Sequence, residues 1–101
     1  MTPTQIKNQI KAAHVAFDAW KNKTVFERAN LLHAWAALIL KNKNKLAKII
    51  TSECGKLPAE ALAEIELAAS YITWSAEGAK RIYGEVMPSP TGSTAMVIKQ
   101  P

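Results

Sequence analysis

The stretch Pro58 to Tyr83, PAEALAEIELAASYITWSAEGAKRIY, decides the fold. Its apolar residues Ala61, Ile65, Ala68, Ile72, Ala76, Ala79 and Tyr83 recur at steps of three and four, the period of one helical face. Pro58 suits a helix start, because the N–H it lacks would have no partner in the first turn anyway. Glutamates come early and Lys80 and Arg81 late, as the helix dipole favours. Gly84 marks the stop. At about 1.5 Å per residue such a helix is about 39 Å long, more than the width of a small domain. It is therefore expected to span a body larger than this chain.

Upstream, the same period returns three times. Thr2-Pro3-Thr4-Gln5 has the form of a capping box with proline at the first helical position. Behind it Ile6, Ile10, Ala13, Phe17 and Trp20 form one apolar stripe that needs a partner, predicting a helix over 3–21. A second capping box, Thr24 to Glu27, opens a helix over 25–41, with Leu31, Leu32, Trp35, Leu38 and Ile39 apolar. Asn42 or Asn44 is expected to cap a third, over 43–54, through Leu46, Ile49 and Ile50, closed by Gly55 in the left-handed conformation. The fourth covers 58–83. Downstream the pattern changes: Pro88, Pro90 and Gly92 read as a loop, and 94–100 as a strand with Met96 and Ile98 on one face. Nothing else reads as a strand, and a lone strand cannot satisfy its own backbone.

Composition sets the outer limits. The 101 residues suffice for one small unit, with 49% hydrophobic and 21% charged residues, ordinary for a folded soluble protein. No apolar run reaches the roughly 18 residues of a membrane span, and Lys7, Asn8, Lys11 and His14 interrupt any signal-peptide core. The single cysteine, Cys54, suits a reducing compartment, so a cytoplasmic protein is expected. The net charge of +5 is densest at Lys41-Asn42-Lys43-Asn44-Lys45, where neither arginine nor aromatic residues accompany it. A solvated helix junction, not a nucleic-acid site, follows.

Each candidate for chemistry has a plainer reading. Cys54 sits at a helix C-terminus, the end opposite to the one that suits a nucleophile, and no histidine lies near it in sequence. Thr91-Gly92-Ser93-Thr94 lies between helix and strand, whereas phosphate-cradling loops follow a strand and open a helix. Glu60, Glu64 and Glu66 fall mostly toward water. Trp20, Trp35 and Trp74 read as packing anchors, and His14 and His33 as ordinary helix residues. Without HxxxH or CxxC spacing there is no zinc motif. No catalytic, cofactor-binding or metal-ligating residue is assigned.

Taken in order, Ala16-Phe17-Asp18-Ala19-Trp20, Glu27-Arg28-Ala29, Leu46-Ala47, Glu53-Cys54-Gly55-Lys56, Glu60-Ala61 and Glu64-Ile65 resemble the early helices of the aldehyde dehydrogenase superfamily. Ala76-Glu77 and Ala79-Lys80-Arg81-Ile82-Tyr83-Gly84-Glu85 resemble its succinate-semialdehyde dehydrogenase branch, and Ile98-Lys99-Gln100-Pro101 is similar to the strand before that family's Trp-Asn segment. Leu57-Pro58 departs from the family's commoner Pro-Leu. The resemblance implies an α/β enzyme in which a cysteine attacks the aldehyde, hydride passes to a nicotinamide, and a glutamate-activated water frees the acid. The family's nucleophile, base, oxyanion-hole asparagine and dinucleotide glycine motif all match positions beyond Pro101. Cys54 matches a non-catalytic one.

The expectation is therefore a mainly α segment, four helices and a C-terminal strand, forming an incomplete part of the α/β aldehyde dehydrogenase fold. Residues 1–101 would be a partial N-terminal, cofactor-domain piece of an enzyme oxidising succinate semialdehyde. Alone it would be inactive and bind no cofactor, with NAD or NADP implied for the intact enzyme. Its partners would be the remainder of that enzyme or other subunits, not nucleic acid or membrane. Exposed faces should make it poorly soluble, loosely packed or dependent on association. The alternative is a small helical interaction module without catalysis.

Overall fold

The computed structural model describes residues 1–100; the final Pro101 lies outside them. Four helices, α1 (Pro3–Lys21), α2 (Val25–Lys41), α3 (Lys43–Cys54) and α4 (Pro58–Ala79), precede a hairpin of β1 (Glu85–Pro88) and β2 (Thr94–Val97). Both capping boxes form. The Gln5 N–H donates to Thr2 Oγ1 at 3.3 Å while Gln5 Oε1 accepts from the Thr2 N–H at 2.7 Å. Glu27 and Thr24 repeat this at 3.2 and 2.8 Å. Gly55 closes α3 at φ 72°, the left-handed region in which a Cβ would be strained.

Asn42 does something other than expected. It stands before α3, but its side-chain amide donates backward to the Leu38 carbonyl at 2.8 Å, so it closes α2 and gives α3 no side-chain cap. With its Nδ2 turned back on Leu38, its Oδ1 accepts from no N–H in the first turn of α3.

Helix α4 is shorter than 58–83. After Gly78, a weak helix former, the chain tightens into shorter-range bonds, from Arg81 N–H to the Gly78 carbonyl (3.0 Å) and from Ile82 N–H to Ala79 (3.4 Å). Tyr83 is left exposed. The segment 85–88, not expected as a strand, is the partner of the C-terminal strand: Glu85 pairs antiparallel with Val97, Val86 with Met96, Met87 with Ala95 and Pro88 with Thr94. The strand accordingly stops at Val97 rather than 100, because β1 offers nothing opposite Ile98. Gly84 makes the close approach possible, since a Cβ there would lie 2.3 Å from the Val97 carbonyl oxygen.

The core is small and built mainly of alanine. Ala29 and Ala36 of α2, Ala47 of α3 and Ala61, Ile65, Ala69 and Ala76 of α4 are the buried apolar residues among those described, with Ile39, Leu46, Ile50 and Leu62 packed around Ala47, Ala61 and Ile65. The face of α4 that packs inward therefore runs through Ala69, and Ala68 is exposed. The anchoring role expected of the tryptophans does not hold for Trp35 and Trp74, which are 55% and 72% exposed.

Helix α1 joins this bundle hardly at all. It contributes no buried residue and makes no substantial contact with another element among the described residues. The radius of gyration is accordingly 19.6 Å and the molecule measures 64 × 33 × 22 Å, whereas a closed domain of this length has a radius of about 13 Å.

Candidate functional site

The chemically capable side chains are scattered over the fold. Cys54, at the end of α3, is exposed, and its thiol donates to the Ile50 carbonyl at 3.1 Å. His14 lies on α1, which makes no substantial contact with α3. The glutamates on α4 stand apart in function: Glu64 bridges to Lys56 and Glu66 to Lys43, each at 2.6 Å, tying α4 to α3 and its exit turn. The Glu64 carboxylate in turn holds the Lys56 ammonium above its ordinary pKa. A carboxylate engaged by a lysine is a poor proton donor at neutral pH, so these are struts rather than an acid and base pair.

The densest polar cluster is one that sequence spacing does not bring together. His33 of α2 reaches across 44 positions to Glu77 of α4, with Nε2 2.7 Å from Oε1, and Lys80 grips both oxygens of the same carboxylate at 2.9 and 3.0 Å. Lys80 first, and His33 second, hold the Glu77 carboxyl below its ordinary pKa. The only local signal is the Glu77–Lys80 spacing of three; that His33 faces them depends on how α2 and α4 pack.

A carboxyl depressed in the folded state stabilises the fold above its unfolded pKa, and that contribution disappears as pH falls through the folded value. Helicity is therefore expected to decline below about pH 4.5 with a shallow, salt-sensitive slope, since the pair is nearly half exposed. Circular dichroism from about pH 6 to pH 2 should show this acid limb flattened in Glu77→Gln. Identical limbs in the two proteins would mean the cluster carries no linkage.

An apolar groove and the hairpin tip are the other candidates. An open apolar groove of about 580 Å³ between α3 and the start of α4 is lined by Asn44, Ala47, Lys48, Thr51, Pro58 and Leu62 among others. Lys48 is its sole titratable wall, so it offers no general acid and base couple. The Thr91-Gly92-Ser93 tip of the hairpin is closed on itself: Thr91 Oγ1 lies 3.0 Å from both Ser89 Oγ and Ser93 Oγ. It joins two strands instead of opening a helix, so it does not fit a dinucleotide phosphate. Among the described residues no three histidines, cysteines or carboxylates gather as a metal site would require, and no helix is long and apolar enough to cross a membrane.

Four helices lead into a hairpin, and the His33–Glu77 and Lys43–Glu66 pairs join one helix to another. The family model described as aldehyde dehydrogenase family matches residues 1–101, and the chain belongs to that family. The whole chain aligns with the succinate semialdehyde dehydrogenase of Acinetobacter baylyi at 47% identity and with the 3-sulfolactaldehyde dehydrogenase of Pseudomonas putida at 42%, covering 21% of each. In three dimensions it is similar to an aldehyde dehydrogenase from Brucella melitensis biovar abortus 2308, with a TM-score of 0.79 and 46% identity over 89% of this chain and 19% of that one. The chain thus spans about a fifth of the length of the curated relatives it matches.

Proposed function

We propose that residues 1–101 serve as a helical scaffold of an NAD(P)-dependent aldehyde dehydrogenase whose substrate is a small aldehyde with an anionic far end, succinate semialdehyde first among them. The observation carrying this is the end-to-end likeness at 42–47% identity to enzymes named for succinate semialdehyde and for 3-sulfolactaldehyde. A carboxylate in one substrate and a sulfonate in the other share a negative charge away from the aldehyde carbon. The chain's own share is architectural: α2, α3 and α4 form the bundle, and the hairpin extends from it. Nicotinamide binding and hydride transfer belong to residues outside this stretch, its partners are the remainder of the enzyme or other subunits, and the single cysteine favours the cytoplasm as the compartment.

The test is oxidation of succinate semialdehyde, followed as NAD(P)H absorbance, by the purified chain with and without an equimolar protein supplying the rest of the enzyme. No activity alone and activity on mixing is the expected result. Turnover by the chain alone, or none in the mixture while both parts bind each other, would overturn the reading.

A further inference from the structure

A cleft of about 470 Å³ opens where separate parts of the chain meet, and it gathers cations without acids. Lys21 comes from the last turn of α1, Arg28 from the first turns of α2 and Lys99 from the stretch after β2. Two local features bring them together. The link 22–24 is too short to part Lys21 from Arg28, and the Glu85–Val97 pair sets Ile82 beside the 99–100 stretch as both strands leave the hairpin. Phe17, Trp20 and Ile82 supply an apolar wall.

The charges identify the ligand. Arg28 Nη1 donates to the Lys23 carbonyl at 2.7 Å, which fixes the plane of a half-buried guanidinium. Neither Arg28 nor Lys99 forms an ion pair among the described residues. Lys21 is bridged to Asp18, so the three cations stand against one carboxylate, an excess of two positive charges. Like charges held together repel, and a bound anion relieves the repulsion. A phosphate monoester carries about two negative charges at neutral pH and fits the guanidinium fork, whereas a carboxylate carries one. Phe17 and Trp20 offer rings on which an aromatic body can pack. The volume is that of a small-molecule site.

We propose that this cleft binds a small phosphate monoester with an aromatic body, its phosphoryl oxygens on Arg28 and Lys99 and its ring against Phe17 and Trp20. The site does not rest on the enzymatic reading above. The cations set the preference for a dianion and make binding sensitive to salt, while the aromatic wall separates an aryl ester from phosphate itself.

NMR titration of the 101-residue chain with phenyl phosphate is the test, with inorganic phosphate and phenol as separate probes. Shifts at the Trp20 indole N–H and at the amides of Arg28 and Lys99 are expected, with a dissociation constant of about 1 mM or below. Phenyl phosphate should bind more tightly than inorganic phosphate, and phenol should leave these signals in place. Lys99 is exposed and outside both strands, so its variants keep the fold. Lys99→Gln should raise the dissociation constant about threefold and Lys99→Glu about tenfold, and Trp20→Leu should erase the preference for the aryl ester. Shifts centred elsewhere, binding indifferent to Lys99→Glu, or phenol or inorganic phosphate binding as well as phenyl phosphate would each overturn the proposal. So would loss of binding when the titration is repeated with the remainder of the enzyme bound to the chain.

Discussion

Ile65→Ala is expected to destabilise the chain by about 2–5 kcal/mol, enough to release α3 from α4. Among the described residues Ile65 is the one buried side chain larger than alanine, and Ala47, Ala61, Ile39, Leu46, Ile50 and Leu62 gather around it. Deleting its three outer carbons removes transfer energy and leaves a cavity at the centre of that cluster. The bundle has little reserve, because so few side chains are fully withdrawn from water. Urea unfolding monitored by helicity provides the measurement, with Val15→Ala on the exposed surface of α1 as the comparison. A surface change of that kind costs within about 0.5 kcal/mol. Equal effects from the two substitutions would show that the Ile65 cluster is not the core.

The second large effect is expected from Gly84→Ala. The added methyl would stand 2.3 Å from the Val97 carbonyl oxygen and 3.4 Å from its carbonyl carbon, both backbone atoms that cannot swing aside. Relief requires β1 and β2 to part at the Glu85–Val97 pair, and overpacking of this type costs about 1–3 kcal/mol. A two-stranded hairpin is marginal by itself, so the expected outcome is loss of the hairpin with α2, α3 and α4 intact. Amide exchange separates the two: the β1 and β2 amides should lose protection while those of α2 and α4 keep theirs. Retained protection at Met96 and Val97 would show that the clash is absorbed elsewhere.

Local chemistry is the most legible part of the amino-acid order. Thr2, Thr24, Gly55 and Pro58 act on neighbours within four residues, so their roles are visible in order and spacing alone. Packing is less legible. Helical period permits either Ala68 or Ala69 to face inward, and the choice is made by α2 and α3, which the period does not mention. The strand β1 is hidden because Pro88 and Pro90 give 85–88 the look of a loop; proline at a strand's end loses only a bond the hairpin can spare. Gly84 reads as a helix stop for its flexibility, whereas what matters is its missing Cβ. For the candidate site, the α4 glutamates are spaced as a solvated face rather than an acid and base pair, which agrees with their lysine bridges. The His33–Glu77–Lys80 cluster leaves little trace in the sequence, because His33 meets the other two only through tertiary contact.

An alanine core also has a calorimetric consequence. Heat capacity rises on unfolding in proportion to the apolar surface newly wetted, and methyl groups wet little. The free energy of this bundle should therefore curve only gently with temperature, its melting should spread over a wide interval, and its helices should persist in the cold, where proteins with bulky aliphatic interiors lose their advantage.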